Sequence, residues 1–255
     1  MQIYFISRFC FNGVQSYDLP LCGLSLVERA KRAFPQARIN TEEIRGVNGE
    51  ELLGISLKNF QDYAFVCKRL RAEILLSHMR RGVLIEDPDS VTIEETANIE
   101  SGVYIARGCC IERDTFVGSG SRIGPYAYLR KGAKVGHGCR VGDFTEIKNA
   151  SLGDGSKMAH LAYLGDADVG KNCNVGCGAV FVNYDGREKR RSVVEDDCFI
   201  GSNCNIVAPV HMGRGAYLAC GTTLTQDLSA GDFCVGRSRE TVKPGRGGTY
   251  YPPRQ

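Results

Sequence analysis

Four histidines, twelve cysteines and a few spaced cations carry whatever chemistry this 255-residue chain performs. His78, His137, His160 and His211 are widely spaced, whereas a three-histidine zinc site needs two ligands close in sequence, so a zinc hydratase is a poor match. No Cys-x-x-Cys pair occurs and Cys109-Cys110 is not metal spacing, so neither a zinc ribbon nor a dithiol redox motif is expected. Five cysteines (Cys109, Cys139, Cys173, Cys198 and Cys204) share one place in the repeat described below and read as small hydrophobes. Histidine titrates near neutral pH, so His160 could accept a proton without a metal. Arg130 and Lys148 stand 18 residues apart, and paired cations of this kind can hold a phosphate. Taken alone, Glu146 is an ordinary surface carboxylate. The run Arg187-Glu188-Lys189-Arg190-Arg191 is a solvated loop, and Asn183-Tyr184-Asp185-Gly186 is a turn.

The elements that must position these groups announce themselves by period. From Ile93 an aliphatic residue recurs every sixth position: Ile93, Ile99, Ile105, Ile111, Val117, Ile123, Leu129, Val135, Val141, Ile147. The register slips by one and resumes at Leu152, Met158 and Leu164. It slips again before Val169, Val175 and Phe181, and returns after an interruption at Val194. A helix needs spacings of three and four and a strand spacings of two, so six fits neither. It fits a triangular coil with one inward aliphatic residue per face and Gly-rich corners. Glycine is 31 of 255 residues, about 12% against a usual ~7%. Three hexapeptides make a coil of about 18 residues, so Arg130 and Lys148 stack on one face. About seven coils at strand spacing give a prism of roughly 35 Å.

Residues 1–55 read as a small N-terminal α/β or helical segment, with a short strand over 1–8 and a helix over 23–34. Residues 56–90 read as a helical linker, 91–237 as an all-β main domain and 238–255 as a tail. The linker helix, over 56–82, carries an apolar stripe of Phe60, Ala64, Cys67, Leu70, Ile74 and Leu75. Charged residues at 24% and hydrophobic ones at 43% describe a globular chain. A net charge of +3 gives no nucleic-acid signature, and no apolar run approaches a membrane span. Met1–Arg8 lacks the features of a secretion signal, so a cytoplasmic location with free thiols is expected.

From Lys157 the residues become specific. The string Lys157-Met158-Ala159-His160-Leu161-Ala162-Tyr163-Leu164-Gly165-Asp166-Ala167 is followed by Asn174-Val175-Gly176-Cys177-Gly178, Asn183-Tyr184-Asp185-Gly186 and Gly201-Ser202-Asn203. With Leu129-Arg130-Lys131-Gly132 and Glu146-Ile147-Lys148 upstream, roughly residues 80–245 resemble the acetyltransferase domain of the GlmU family of hexapeptide-repeat transferases. The resemblance implies a left-handed parallel β-helix and a homotrimer with sites between subunits. The reaction it implies is acetyl transfer from acetyl-CoA to the amine of glucosamine 1-phosphate, with no metal. The same chemistry on another amino sugar or amino acid is the alternative.

The resemblance also implies roles. His160 is the general base, Glu146 orients it or the amine, and Asn174 and Asn183 touch the sugar and amine. Arg130, Lys148, Tyr163 and Lys189 hold the phosphate. The backbone at Cys177 and Tyr184 lies by the thioester, and Ser202, Cys220, Arg237 and Lys243 line the acetyl-CoA groove. Cys177 and Cys220 stand where relatives commonly have Ala. The family's phosphate-binding loop is absent from residues 1–30, although Asp18–Ser25 is similar to the stretch that follows it. Residues 1–50 therefore read as a shrunken nucleotidyltransferase remnant, and uridylyl transfer is not expected.

Overall fold

The computed structural model describes residues 1–42 and 46–246. Its main body is a left-handed parallel β-solenoid with three flat faces. The first face is a nine-stranded sheet that begins at Leu84–Ile85. The second has eight strands and the third seven. The prism is therefore about eight coils tall rather than seven, and its first strand, paired with Tyr104–Ile105, falls within the stretch expected as linker.

Register explains the slips in the period. Arg122 pairs with Arg140, 18 residues on, but Arg140 pairs with Lys157 and Lys157 with Asn174, each 17 on. One residue is dropped from the corner of each of these two coils, so the inward column is preserved. Asn174 then pairs with Phe199, because the loop between Val180–Val182 and Ser192–Val194 interposes. On the second face Ile93, Ile111, Leu129, Ile147 and Leu164 stack in register and are fully buried. Each such side chain contributes about 1.5–3 kcal/mol by leaving water.

The small corner residues do more than fill space. Cys139, Cys173, Cys198 and Cys204 donate weak hydrogen bonds to carbonyls of the next coil, at 3.1 to 3.2 Å. Ser121 and Ser156 do the same with their hydroxyls at 2.7 Å. The place therefore selects a small side chain, and where that side chain carries a donor it bonds the next coil, whereas Ala127, Ala133 and Ala162 only fill the space.

The N-terminal unit is built differently. Gln2–Tyr4 is the central strand of a three-stranded parallel sheet, flanked by Arg38–Asn40 and Val47–Asn48. Helix α1 spans Leu26–Ala33, where a Ser25–Glu28 capping box starts it later than expected. Helix α2 spans Gly49–Leu53, and α3 runs Phe60–Arg80 behind an Asn59 cap. The buried seam of α3 is Val66, Leu70, Leu75 and His78, whereas Phe60 and Ala64, expected on that seam, are exposed. Val66 and Leu70 pack into the N-terminal core, and Leu75 into that of the prism, so α3 joins the two.

Candidate active site

Two columns of side chains follow from the register. On the corner between the first and second faces, Asp143, His160, Cys177, Ser202 and Cys220 occupy successive coils. The corner backbone links them through Leu161 N to Asp143 O (2.9 Å), Gly178 N to Leu161 O (3.1 Å), Asn203 N to Cys177 O (2.8 Å) and Gly221 N to Ser202 O (2.8 Å). Arg237 extends the column by donating to Cys220 O at 2.9 Å. Leu161 turns this corner with φ of 45° and is exposed. That turn leaves His160 at the end of its strand, Lys157–His160, facing solvent.

His160 Nδ1 lies 2.5 Å from Asp143 Oδ1, and the two residues are register partners on successive coils of the first face. His137, by contrast, has carboxylates at both ring nitrogens, Asp154 and Glu100, each at 3.1 Å. One ring nitrogen of His160 is therefore held while Nε2 is left for another partner. One coil below, the Cys177 backbone N–H donates to no acceptor among the described residues.

On the corner between the second and third faces, Arg130 and Lys148 stack on successive coils. Arg130 pairs with Glu146 at 3.0 Å, and Glu146 is in register with Tyr163. The column continues to Gly165, where a Cβ would meet the Tyr163 hydroxyl at 2.3 Å. Gly165 is thus required because the Tyr163 ring lies over it. Asp166, buried at the corner with φ of 46°, accepts from Asn149 at 2.6 Å and from Asn183.

The loop that interrupts the repeat returns Lys189 to this corner. Lys189 within hydrogen-bond reach of Lys148 is the main cause holding the Lys148 amine below its usual range, with partial burial and Arg130 adding to it. Burial opposes ionisation of Asp166, yet hydrogen bonds from Asn149 and Asn183 and the Lys148 and Lys189 charges hold its carboxyl below the usual range. Burial pushes the Tyr163 hydroxyl up, against a hydrogen bond with Asn183. Three cations thus crowd one corner with two carboxylates, an arrangement that an added anion relieves.

The structure brings Arg130, Glu146, Lys148, Tyr163, Asn183 and Lys189 together. It sets His160, Cys177, Ser202, Cys220 and Arg237 along the adjacent corner. It does not gather the rest. Asn174 lies on the first face between Lys157 and Phe199. Tyr184 is exposed, its hydroxyl bonded to Gly186 O at 2.8 Å. Lys243 is exposed in the tail and makes no side-chain hydrogen bond or ion pair among the described residues. Sequence reasoning missed Asp143, Asn149 and Asp166, although 143 precedes 160 by one 17-residue coil. Arg191 is not a bystander either. It forks onto Asp168 at 2.5 Å and donates to Asn149 O at 2.9 Å, pinning the end of the loop.

Among the described residues no cluster of His, Cys, Asp and Glu could hold a metal, and no helix is long and apolar enough to cross a membrane. Residues 114–149 match the bacterial transferase hexapeptide family (six repeats), and 192–226 the hexapeptide repeat of succinyl-transferase. The chain belongs to the hexapeptide-repeat transferases. Within that class it is homologous to the bifunctional protein GlmU. The Alkaliphilus oremlandii protein is 40% identical over 237 residues, 80% of this chain and 50% of that protein. The Brevibacillus brevis protein is 36% identical over 238 residues, with the same shares. The chain thus spans about half the length of these curated relatives, corresponding to their C-terminal acetyltransferase half.

Proposed function

We propose that this protein transfers the acetyl group of acetyl-CoA to the amine of glucosamine 1-phosphate. The observation that carries the reading is the stacking of Arg130 on Lys148 on successive coils, one face-width from the corner where Asp143 holds His160. The Arg130–Lys148 corner is a seat for a sugar phosphate, with Tyr163, Asn183 and Glu146 positioned to meet the sugar. Acetyl-CoA lies along Cys177, Ser202, Cys220 and Arg237, with Lys243 of the tail closing on it.

Asp143 accepts the Nδ1 proton and so leaves Nε2 of His160 as the base. As the neutral amine attacks the thioester carbonyl, a C–N bond forms and its proton passes to Nε2. The free Cys177 N–H donates to the developing oxyanion. Collapse breaks the C–S bond, and the CoA thiolate takes the proton from His160. In this reading the enzyme is a homotrimer, and a neighbouring subunit presents Asn174, which a single chain leaves remote from the cations.

Steady-state kinetics on two acceptors test the proposal. His160→Ala lowers turnover by about 10²–10⁴-fold with acetyl-CoA binding retained. Lys148→Ala weakens glucosamine 1-phosphate more than glucosamine, where no phosphate meets the lysine. Unchanged turnover in the first, or equal losses on both acceptors in the second, overturns the assignment. Sedimentation showing only active monomer overturns the trimer.

A further inference from the structure

Outside the solenoid, Cys22 and Cys67 come together across 45 residues of sequence, with Cys22 Sγ 3.5 Å from the Cys67 carbonyl. Cys22 sits in a two-residue turn closed by bonds between Leu21 and Leu24, with φ of 51° at Cys22 and 91° at Gly23. Cys67 lies on α3, one helical turn after Tyr63, whose hydroxyl donates to Pro20 O at 2.7 Å. Both thiols are half-buried at the edge of the N-terminal core.

We propose that Cys22 and Cys67 form an oxidant-sensitive site in which Cys67 is the attacking thiolate and Cys22 the resolving thiol. The proposal does not rest on the transfer reaction. Its first support is the contrast with the repeat cysteines. Burial pushes the Cys109 and Cys173 thiols up to about 11, and those of Cys139, Cys198 and Cys204 up as well, so these five stay protonated and inert. Cys67 goes the other way, to about 7, with the neighbouring Cys22 side chain the main cause and Tyr63 and the Arg29 charge helping it to outweigh burial. Cys22 itself is pushed up by the Cys67 side chain and by burial, with Arg29 opposing and Glu94 adding to the shift, so it remains the proton-bearing partner. A thiol placed beside a reactive thiolate is the arrangement that converts a sulfenic acid to a disulfide rather than to higher oxides.

The co-reactant is a hydroperoxide. The Cys67 thiolate attacks the distal oxygen of the O–O bond, giving the sulfenic acid and an alkoxide or hydroxide that takes up a proton. Cys22 then attacks the Cys67 sulfur, an S–S bond forms, and water leaves with the Cys22 proton. The disulfide would tie the Leu21–Leu24 turn to α3. Because Glu95 N and Arg113 already hold the Cys22 and Gly23 carbonyls, at 3.1 and 2.9 Å, it would also fasten the unit to the first coils.

The test treats the full chain at neutral pH with limiting hydrogen peroxide, alkylates the remaining thiols and maps the peptides by mass spectrometry. The expected result is a cross-linked Cys22–Cys67 peptide pair, two hydrogens lighter, formed before any change at the exposed Cys10, Cys177 and Cys220. In Cys22→Ser, dimedone traps a sulfenic acid at Cys67. In Cys67→Ser, Cys22 reacts no faster than Cys10. The thermal midpoint rises on oxidation of the parent chain and not of either variant. If the exposed cysteines oxidise first while Cys22 and Cys67 remain alkylatable, the proposal is overturned. Because this reading comes from the unmutated chain, it does not depend on how the variants fold.

Discussion

The solenoid and the N-terminal unit place the same residue types by opposite means. In the solenoid a side chain's surroundings follow from its position in a coil, so five cysteines at one repeat position share one fate, buried and donating to the next coil, Cys109 at the longer 3.7 Å. In the N-terminal unit nothing repeats, and Cys22 and Cys67 meet because a tight turn and a long helix are folded against each other. The active-site candidates obey the solenoid's rule up to the loop over 183–191, where the coil is interrupted and Lys189 returns to Lys148. The difference teaches that register delivers stacked columns, while the distinctive pairings arise where register is broken.

The sharpest way to break the comparison is to open each core separately. Ile147→Ala in the prism and Leu57→Ala in the N-terminal unit both empty fully buried positions and should each cost about 2–5 kcal/mol. Amide exchange should quicken across the coils in the first variant, but only within the N-terminal unit in the second. Equal spreading in both would show one cooperative core. Next in size, Gly165→Ala sets a methyl group against the Tyr163 ring and should cost about 1–3 kcal/mol by overpacking. It should raise the Michaelis constant for the sugar phosphate more than that for acetyl-CoA, and equal effects on the two would remove Tyr163 from the acceptor seat.

His78 lies where α3 meets the prism and tests the joint between the units. Burial, with the nearby Arg81 charge, lowers its imidazole from 6.5 to about 4. The unfolded chain therefore binds the extra proton between those values. The neutral-histidine contribution is complete above about 6.5 and is lost as pH falls towards 4. Melting curves of His78→Leu should decline less steeply than those of the parent between pH 7 and 4.5. Parallel declines would place the acid sensitivity elsewhere. The smallest effect belongs to the exposed Arg69–Glu73 pair on α3, where Glu73→Ala should change stability by less than about 0.5 kcal/mol. A larger loss in urea titration would mean that this face of the helix is covered.

Much of the architecture was legible. The run from Ile93 to Ile147 names the large inward residue of each face over that stretch, and the slips before Leu152 and Val169 are the two 17-residue coils. The start of the prism was less clear, because Leu84–Ile85 pairs only on one side and follows a helix. The α3 stripe was only partly readable, since two cores share the helix and its buried seam shifts from Val66 to Leu75. His160 stood out through its string, but Asp143 did not, because a lone carboxylate one short coil upstream has no local mark.

By itself the sequence determined the triangular prism, its inward columns and the stacking of Arg130 on Lys148. One residue per face with period six is a local property, and parallel pairing carries it unchanged from coil to coil. Only the tertiary structure decided that Asp143 holds His160, that Tyr163 lies over Gly165, that Lys189 returns to Lys148 and that Cys22 touches Cys67. These contacts depend on side-chain direction at corners and on where an unrepeated loop, turn or helix comes to rest. Those are set by the packing of the whole chain, and no period in the residues encodes them.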